Sequence, residues 1–186
     1  MQTNSDLESF LIELGDRGMS GEGLSVVESY IRACWDKGVE ITLDPSMTES
    51  FGTYNPHANI LTLGAPALDC NVELIETLEH EFIHVLQDQL AGIENGQMMP
   101  LGLPVNSNGF VQVSANYAHL DSAHQALELE AHSAESMLQA GQANLQRCCD
   151  SLEQQLATSY VANGMDPIEA SIQATLQAPL IESVLG

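Results

Sequence analysis

Thr77-Leu78-Glu79-His80-Glu81-Phe82-Ile83-His84-Val85-Leu86-Gln87-Asp88 is the stretch on which the reading of this chain turns. Ile75, Leu78, Phe82, Val85 and Leu86 recur at helical spacing, which predicts an amphipathic helix from about Asn71 to Leu90. On that helix His80 and His84 stand four residues apart, on one face, with Cβ atoms about 5–6 Å from each other. They avoid the apolar stripe and lie on the side of Thr77 and Asp88. Two imidazoles so placed can close on one divalent cation. Glu81, one residue along, then stands beside the open coordination position, where a carboxylate can accept a proton from water. In a chain of this composition the pattern His-Glu-x-x-His is expected by accident only about 0.02 times. The plain alternative is a pair of packed histidines with no ion between them.

A metal site that does chemistry needs a third protein ligand and a vacant position. Downstream, a long helix is expected from roughly Ala115 to Asp150, carrying Leu127-Glu128-Leu129-Glu130-Ala131-His132. His124, Glu128, His132 and Glu135 fall on one face of it, at i, i+4, i+8 and i+11. Glu130 is about 200° round from Glu128, so the two cannot serve one ion. Glu128 is the carboxylate grouped with polar neighbours; His124 and His132 are alternative ligands, and a solvated helix carboxylate is the alternative role for Glu128. Asp88, one turn after His84, either bends back to brace a histidine or is a surface carboxylate. Tyr117, His119, His124 and His132 are candidates for steadying an oxyanion, and His57, after Pro56, reads as an exposed loop residue.

Outward from these helices the chain falls into short elements. Leu7, Phe10, Leu11 and Leu14 predict a first helix, a glycine-bearing stretch from Gly15 to Gly23 follows, and Leu24 to Asp36 predicts a second helix. Val39–Leu43 and Asn59–Leu63 read as strands, Met47–Tyr54 as a weaker one. Ala91 to Gly109, rich in Gly, Pro, Asn and Met, reads as a loop at the rim of the site; within it Met98 and Met99 either fill the core or meet a substrate. Two more helices are expected over Leu152–Val161 and Pro167–Ala178, the latter with Asp166 as N-cap. Helices, a few strands, then helices make an α+β fold, and no linker divides residues 1–186 into more than a single domain.

Four Lys+Arg against 26 Asp+Glu give a formal charge of −22, which disfavours binding to nucleic acid or anionic lipid. No apolar run approaches the ~20 residues of a membrane span. Met1 to Asp6 lacks the basic and apolar regions of a secretory signal, so a cytoplasmic protein is expected. Cys34, Cys70, Cys148 and Cys149 form no Cys-x-x-Cys pair and are expected as reduced, mostly buried thiols. There is no nucleophile elbow and no phosphate-binding loop.

Glu128-Leu129-Glu130-Ala131-His132 resembles the E-x-x-A-[D/N] pattern with which gluzincin metallopeptidases supply the third zinc ligand, with His132 where Asp or Asn is usual. His80 to Gln89 is similar to the HExxH-x-L-Q-D-Q helix of prokaryotic metallopeptidases, and Gly52–Pro56 with Asn59–Leu63 to the strand before it. The similar parts cover about Phe51 to Glu135. The resemblance implies a compact zincin-like domain, with a small, mostly antiparallel sheet packed on the HExxH helix and a mainly helical C-terminal half. It further implies zinc (Zn2+) held by His80, His84 and Glu128, Glu81 as catalytic base, and hydrolysis of a peptide or protein substrate. In that family the strand pairs with extended substrate as a sheet edge. A non-catalytic zincin-like metal-binding or regulatory interaction protein is the alternative, against which the intact Glu81 argues.

Overall fold

Local chemistry at the helix starts sets the first layer of the structure, a computed structural model that describes residues 1–92 and 96–142. Thr3 opens α1 (Asn4–Asp16) with a reciprocal capping box. Its hydroxyl accepts from the Asp6 amide at 3.2 Å, and the Asp6 carboxylate accepts from the Thr3 amide at 3.1 Å. Ser20 caps α2 (Gly21–Asp36) in the simpler way, accepting from the Gly23 amide at 3.1 Å. On α1 Leu7, Phe10 and Leu14 of the expected stripe are buried and Leu11 is half-buried, while α2 buries Val27, Tyr30, Ile31 and Cys34.

Three strands follow: β1 (Glu40–Asp44), β2 (Gly52–Asn55) and β3 (Ile60–Gly64). All three regions are expected from sequence, within a residue for β1 and β3 and only at the C-terminal end of the expected stretch for β2. The sheet order is β1-β3-β2. Glu40 to Asp44 pairs in parallel with Ile60 to Gly64, and Gly52 to Asn55 pairs antiparallel with Ile60 to Leu63. The sheet is therefore mixed rather than mostly antiparallel. The short hairpin from β2 into β3 fixes the antiparallel pair, whereas β1 reaches β3 only across the intervening β2 and joins it in parallel. Alternation does the rest, sending Ile41, Leu61 and Leu63 fully into the core.

A four-residue helix, α3 (Ala65–Leu68), occupies the Gly64-to-Pro66 segment that reads from sequence as a stop; Pro66 suits a first helical turn, where its missing N–H is no loss. Next comes α4 (Asn71–Ala91), which packs against α2, α3, β2 and β3. It is buried all round from Thr77 to Asp88. The expected apolar stripe holds for Leu78, Phe82 and Val85, with Leu74 fully buried and Ile75 only half so. Gly52 is what lets β2 lie this close. A Cβ there would stand 2.5 Å from Thr77 Cγ2 and 3.1 Å from Glu81 Cγ.

The chain divides into two compact units, residues 1–99 and 100–186. In the second, α5 (Ser107–Asn116) and α6 (Ser122–Gln142) pack on each other. The expected continuous helix from Ala115 is thus broken, and the end of the expected loop is helical. Two caps explain the break. Asn106 starts α5 by accepting from the Gly109 amide at 3.0 Å. Asp121 accepts from the Ala123 and His124 amides at 2.9 and 3.1 Å, which restarts the chain as α6. Gly109 is the contact point of the pair, since a Cβ there would lie 2.2 Å from Ser133 Oγ and 2.8 Å from the Leu129 carbonyl oxygen. The helices expected over Leu152–Val161 and Pro167–Ala178, and the end of the long helix at Asp150, lie outside the described residues. The described arrangement is α+β, and no helix among those residues is long and apolar enough to cross a membrane.

Candidate metal centre

The i, i+4 spacing on α4 does what helix geometry requires of it. His80 and His84 turn toward each other with ring centroids 4.8 Å apart and Nε2 atoms 3.1 Å apart. Two ligands each about 2.0–2.1 Å from one tetrahedral zinc would have donor atoms about 3.3 Å apart. The imidazole pair therefore fits a shared ion with little adjustment. Both rings are buried although they lie off the apolar stripe: they are 8% and 6% exposed, and Glu81 is 6% exposed. Burial strengthens whatever electrostatic interaction they make.

The surroundings are acidic and tightly packed. Glu79 and Asp88 on the same helix are fully buried. Asp88 is no surface carboxylate, and it does not turn to a histidine: Tyr54 on β2 donates its hydroxyl proton toward Asp88 Oδ2 at 2.5 Å, with Asn59 Oδ1 at 2.7 Å from the same oxygen. The Asn59 amide nitrogen in turn donates to the Gly38 carbonyl at 2.9 Å. This chain of bonds ties β2 and the start of β3 to the last turns of α4. Burial, followed by the Asp88 bond and charge, pushes the Tyr54 phenol above its usual range. Burial likewise raises Tyr30, with the Glu79 charge adding to it. The Cys34 thiol is pushed up to about 12, chiefly by burial, with Lys37 pulling the other way and Glu81 adding to the rise. Of the four cysteines, Cys34 is buried as expected and Cys70 is exposed; Cys148 and Cys149 lie outside the described residues.

The contact made by His84 on its other side was not foreseen. Its Nδ1 lies 2.8 Å from Gln87 Oε1, and Gln87 is fully buried. Sequence reasoning passed over Gln87 for the charged Asp88 beside it. The signal was present, because i+3 on a helix is within side-chain reach and i+4 only slightly more so.

In the second unit the candidates separate by environment. Glu130, 3% exposed, accepts from the amides of Leu101 and Leu103 at 2.7 and 2.6 Å, so its carboxylate fastens the segment before α5. His124 is an exposed cap partner, its Nδ1 2.7 Å from Asp121 Oδ2 with a side chain 60% exposed. The amide and imidazole of His124 hold the Asp121 carboxyl below its usual range. His132 lies 3.2 Å from Glu135 Oε2, and its ring is 5.5 Å from that of Tyr117. Glu128 is half-buried on the same helix, while His119 is exposed. In the first unit His57 is an exposed turn residue and Met99 is exposed.

Comparison with known proteins gives no matching family model, no matching curated protein and no matching solved structure.

Proposed function

We propose that this chain is a zinc-dependent endopeptidase in which His80 and His84 bind the metal, Glu128 completes the protein ligands and Glu81 is the general base. The observation that carries the reading is the pair of buried imidazoles with Nε2 atoms 3.1 Å apart, next to a buried glutamate on the same rigid helix. A structural zinc site has no need of a carboxylate between its histidines; a hydrolytic one has.

Zinc bound there would supply Lewis acidity, acidifying water and polarising a substrate carbonyl. Glu81 takes the proton from the attacking water and delivers it to the departing amine, one carboxylate serving as base and then acid. Its burial keeps bulk water from competing for that proton. β2, held against α4 at Gly52, brings an edge strand beside Glu81, where an extended peptide could add to the sheet. The assignment of Glu128 is supported by its neighbours on the helix. Glu130 accepts from two backbone amides and His124 is paired with the cap carboxylate of Asp121, while Glu128 is half-buried and stands where the E-x-x-A resemblance puts the third ligand; His132 is the alternative on the same face.

The test compares the full chain with Glu81→Gln, measuring bound zinc by elemental analysis and cleavage of a general protein substrate such as casein. Zinc in both proteins with proteolysis only in the wild type is the expected result. Zinc in both and proteolysis in neither supports a non-catalytic metal-binding protein, and zinc in neither ends the metal reading altogether.

A further inference from the structure

The bond between His84 and Gln87 carries more than packing. An imidazole has two nitrogens, and in its neutral form one carries the proton and the other the lone pair. Gln87 Oε1, 2.8 Å from His84 Nδ1, is an acceptor with no proton to give. A neutral His84 that donates to this oxygen carries its proton on Nδ1 and presents its lone pair at Nε2. That lone pair points at His80 Nε2, 3.1 Å away. Two nitrogen lone pairs at this separation repel unless a proton or a cation stands between them. The Gln87 bond thus leaves His84 poised to receive either.

We infer that Gln87 is a positioning residue that fixes the Nδ1–H tautomer of His84 and so aims its Nε2 at a metal ion shared with His80. The consequence for metal rests on the proposed centre above; the tautomer does not. Metal-bound histidines commonly donate their second N–H to a carboxylate or a carbonyl. Here the acceptor is a neutral amide, in a helix whose Glu79, Glu81 and Asp88 are already buried carboxylates. An amide orients the ring without adding another ionisable group to this buried stretch. It also makes His84 a less basic ligand than a carboxylate partner would. Gln87 acts through His84 and touches no reacting atom.

The experiment uses the metal-free full chain, wild type and the variants Gln87→Met and Gln87→Glu. Imidazole nitrogen shifts are read by NMR, and zinc affinity is read by chelator competition with the metal alone. Wild type should show a protonated Nδ1 and an unprotonated Nε2 at His84. Gln87→Met, similar in length but without the acceptor, should lose this preference and bind zinc about 10–100-fold more weakly. Gln87→Glu restores an acceptor and should keep the Nδ1–H form with zinc affinity at least that of wild type. Should Gln87→Met fail to fold, the wild-type tautomer and the Gln87→Glu affinity still decide. A wild-type proton on Nε2 would mean that the amide donates to Nδ1, and overturns the inference. So does a Gln87→Met protein with unchanged tautomer and affinity, or a tenfold loss in Gln87→Glu. The expected tautomer, lost in Gln87→Met, in a protein that binds no zinc keeps the role of Gln87 and removes the metal centre instead.

Discussion

The two helices that carry the candidate ligands, α4 and α6, have different surroundings. From Thr77 to Asp88, α4 is buried on every side, including its three carboxylates and both histidines. By contrast α6 starts at an exposed cap and alternates buried Leu127, Glu130 and Ala131 with half-buried Glu128 and His132. Burying a charged or polar group costs several kcal/mol unless partners are in place, and Tyr54 supplies one to Asp88 and Gln87 one to His84. The first helix is built to hold a few atoms in one arrangement. The second spends its one deeply buried carboxylate, Glu130, on holding its own loop.

That contrast can be broken most forcefully in its core. Phe82→Ala, removing a ring that packs edge-on against Tyr30 with centroids 5.7 Å apart, should destabilise the first unit by about 3–5 kcal/mol in denaturant unfolding. A loss under 1 kcal/mol would show that α4 is not the rigid member of the pair. Next in size is Glu130→Ala, which leaves the Leu101 and Leu103 amides without their acceptor at about 1–3 kcal/mol each. Hydrogen exchange should quicken at those two amides and stay unchanged at His80 and His84. Gly52→Ala should cost about 1–3 kcal/mol, because its Cβ cannot fit against Thr77 Cγ2 without shifting β2 or α4. If the strand gives way, a structure of this variant will show Glu81 displaced.

A further effect is in pH. Cys34 is held as a neutral thiol up to about 12, against an ordinary 9.0. Its contribution is complete below pH 9 and is lost as the pH rises toward 12, because the unfolded thiol ionises first. Stability of the first unit measured across that window should fall more steeply in wild type than in Cys34→Ala. Asp121 behaves in the opposite sense. Its carboxyl lies below 3.8, so the cap of α6 is intact above that value and is lost as the pH falls through the depressed one. Amide exchange at Ala123 and His124 should quicken there.

The sequence made the first helix more readable than the second for a physical reason. His80, Glu81 and His84 are linked by a spacing that is meaningful only on a helix, and the apolar stripe of Leu78, Phe82 and Val85 beside them predicts this helix. Leu7, Phe10 and Leu14, or Val27, Ile31 and Cys34, were equally plain because one buried face repeats at one period. The parallel pairing of β1 with β3 was not legible, since alternation fixes which face a strand buries and says nothing about its neighbour. The break at Tyr117 to Asp121 was hidden because the polar residues that cap α6 look like the exposed face of a continuing helix. The burial of Asp88 was missed for a related reason: its partner Tyr54 comes from a strand 34 residues earlier. Gln87 was within reach, and a neutral amide simply attracts less notice than the carboxylate after it.

The central claim is that two imidazoles of one buried helix hold a single zinc ion with oxygen ligands filling the remaining positions. X-ray absorption at the zinc edge, on full-length protein loaded with one equivalent, reads this directly. Two imidazole scatterers and oxygen ligands near 2.0 Å are expected, with the imidazole signal reduced in His84→Ala. Sulfur ligands near 2.3 Å, a spectrum unaltered by that substitution, or no retained zinc would contradict it.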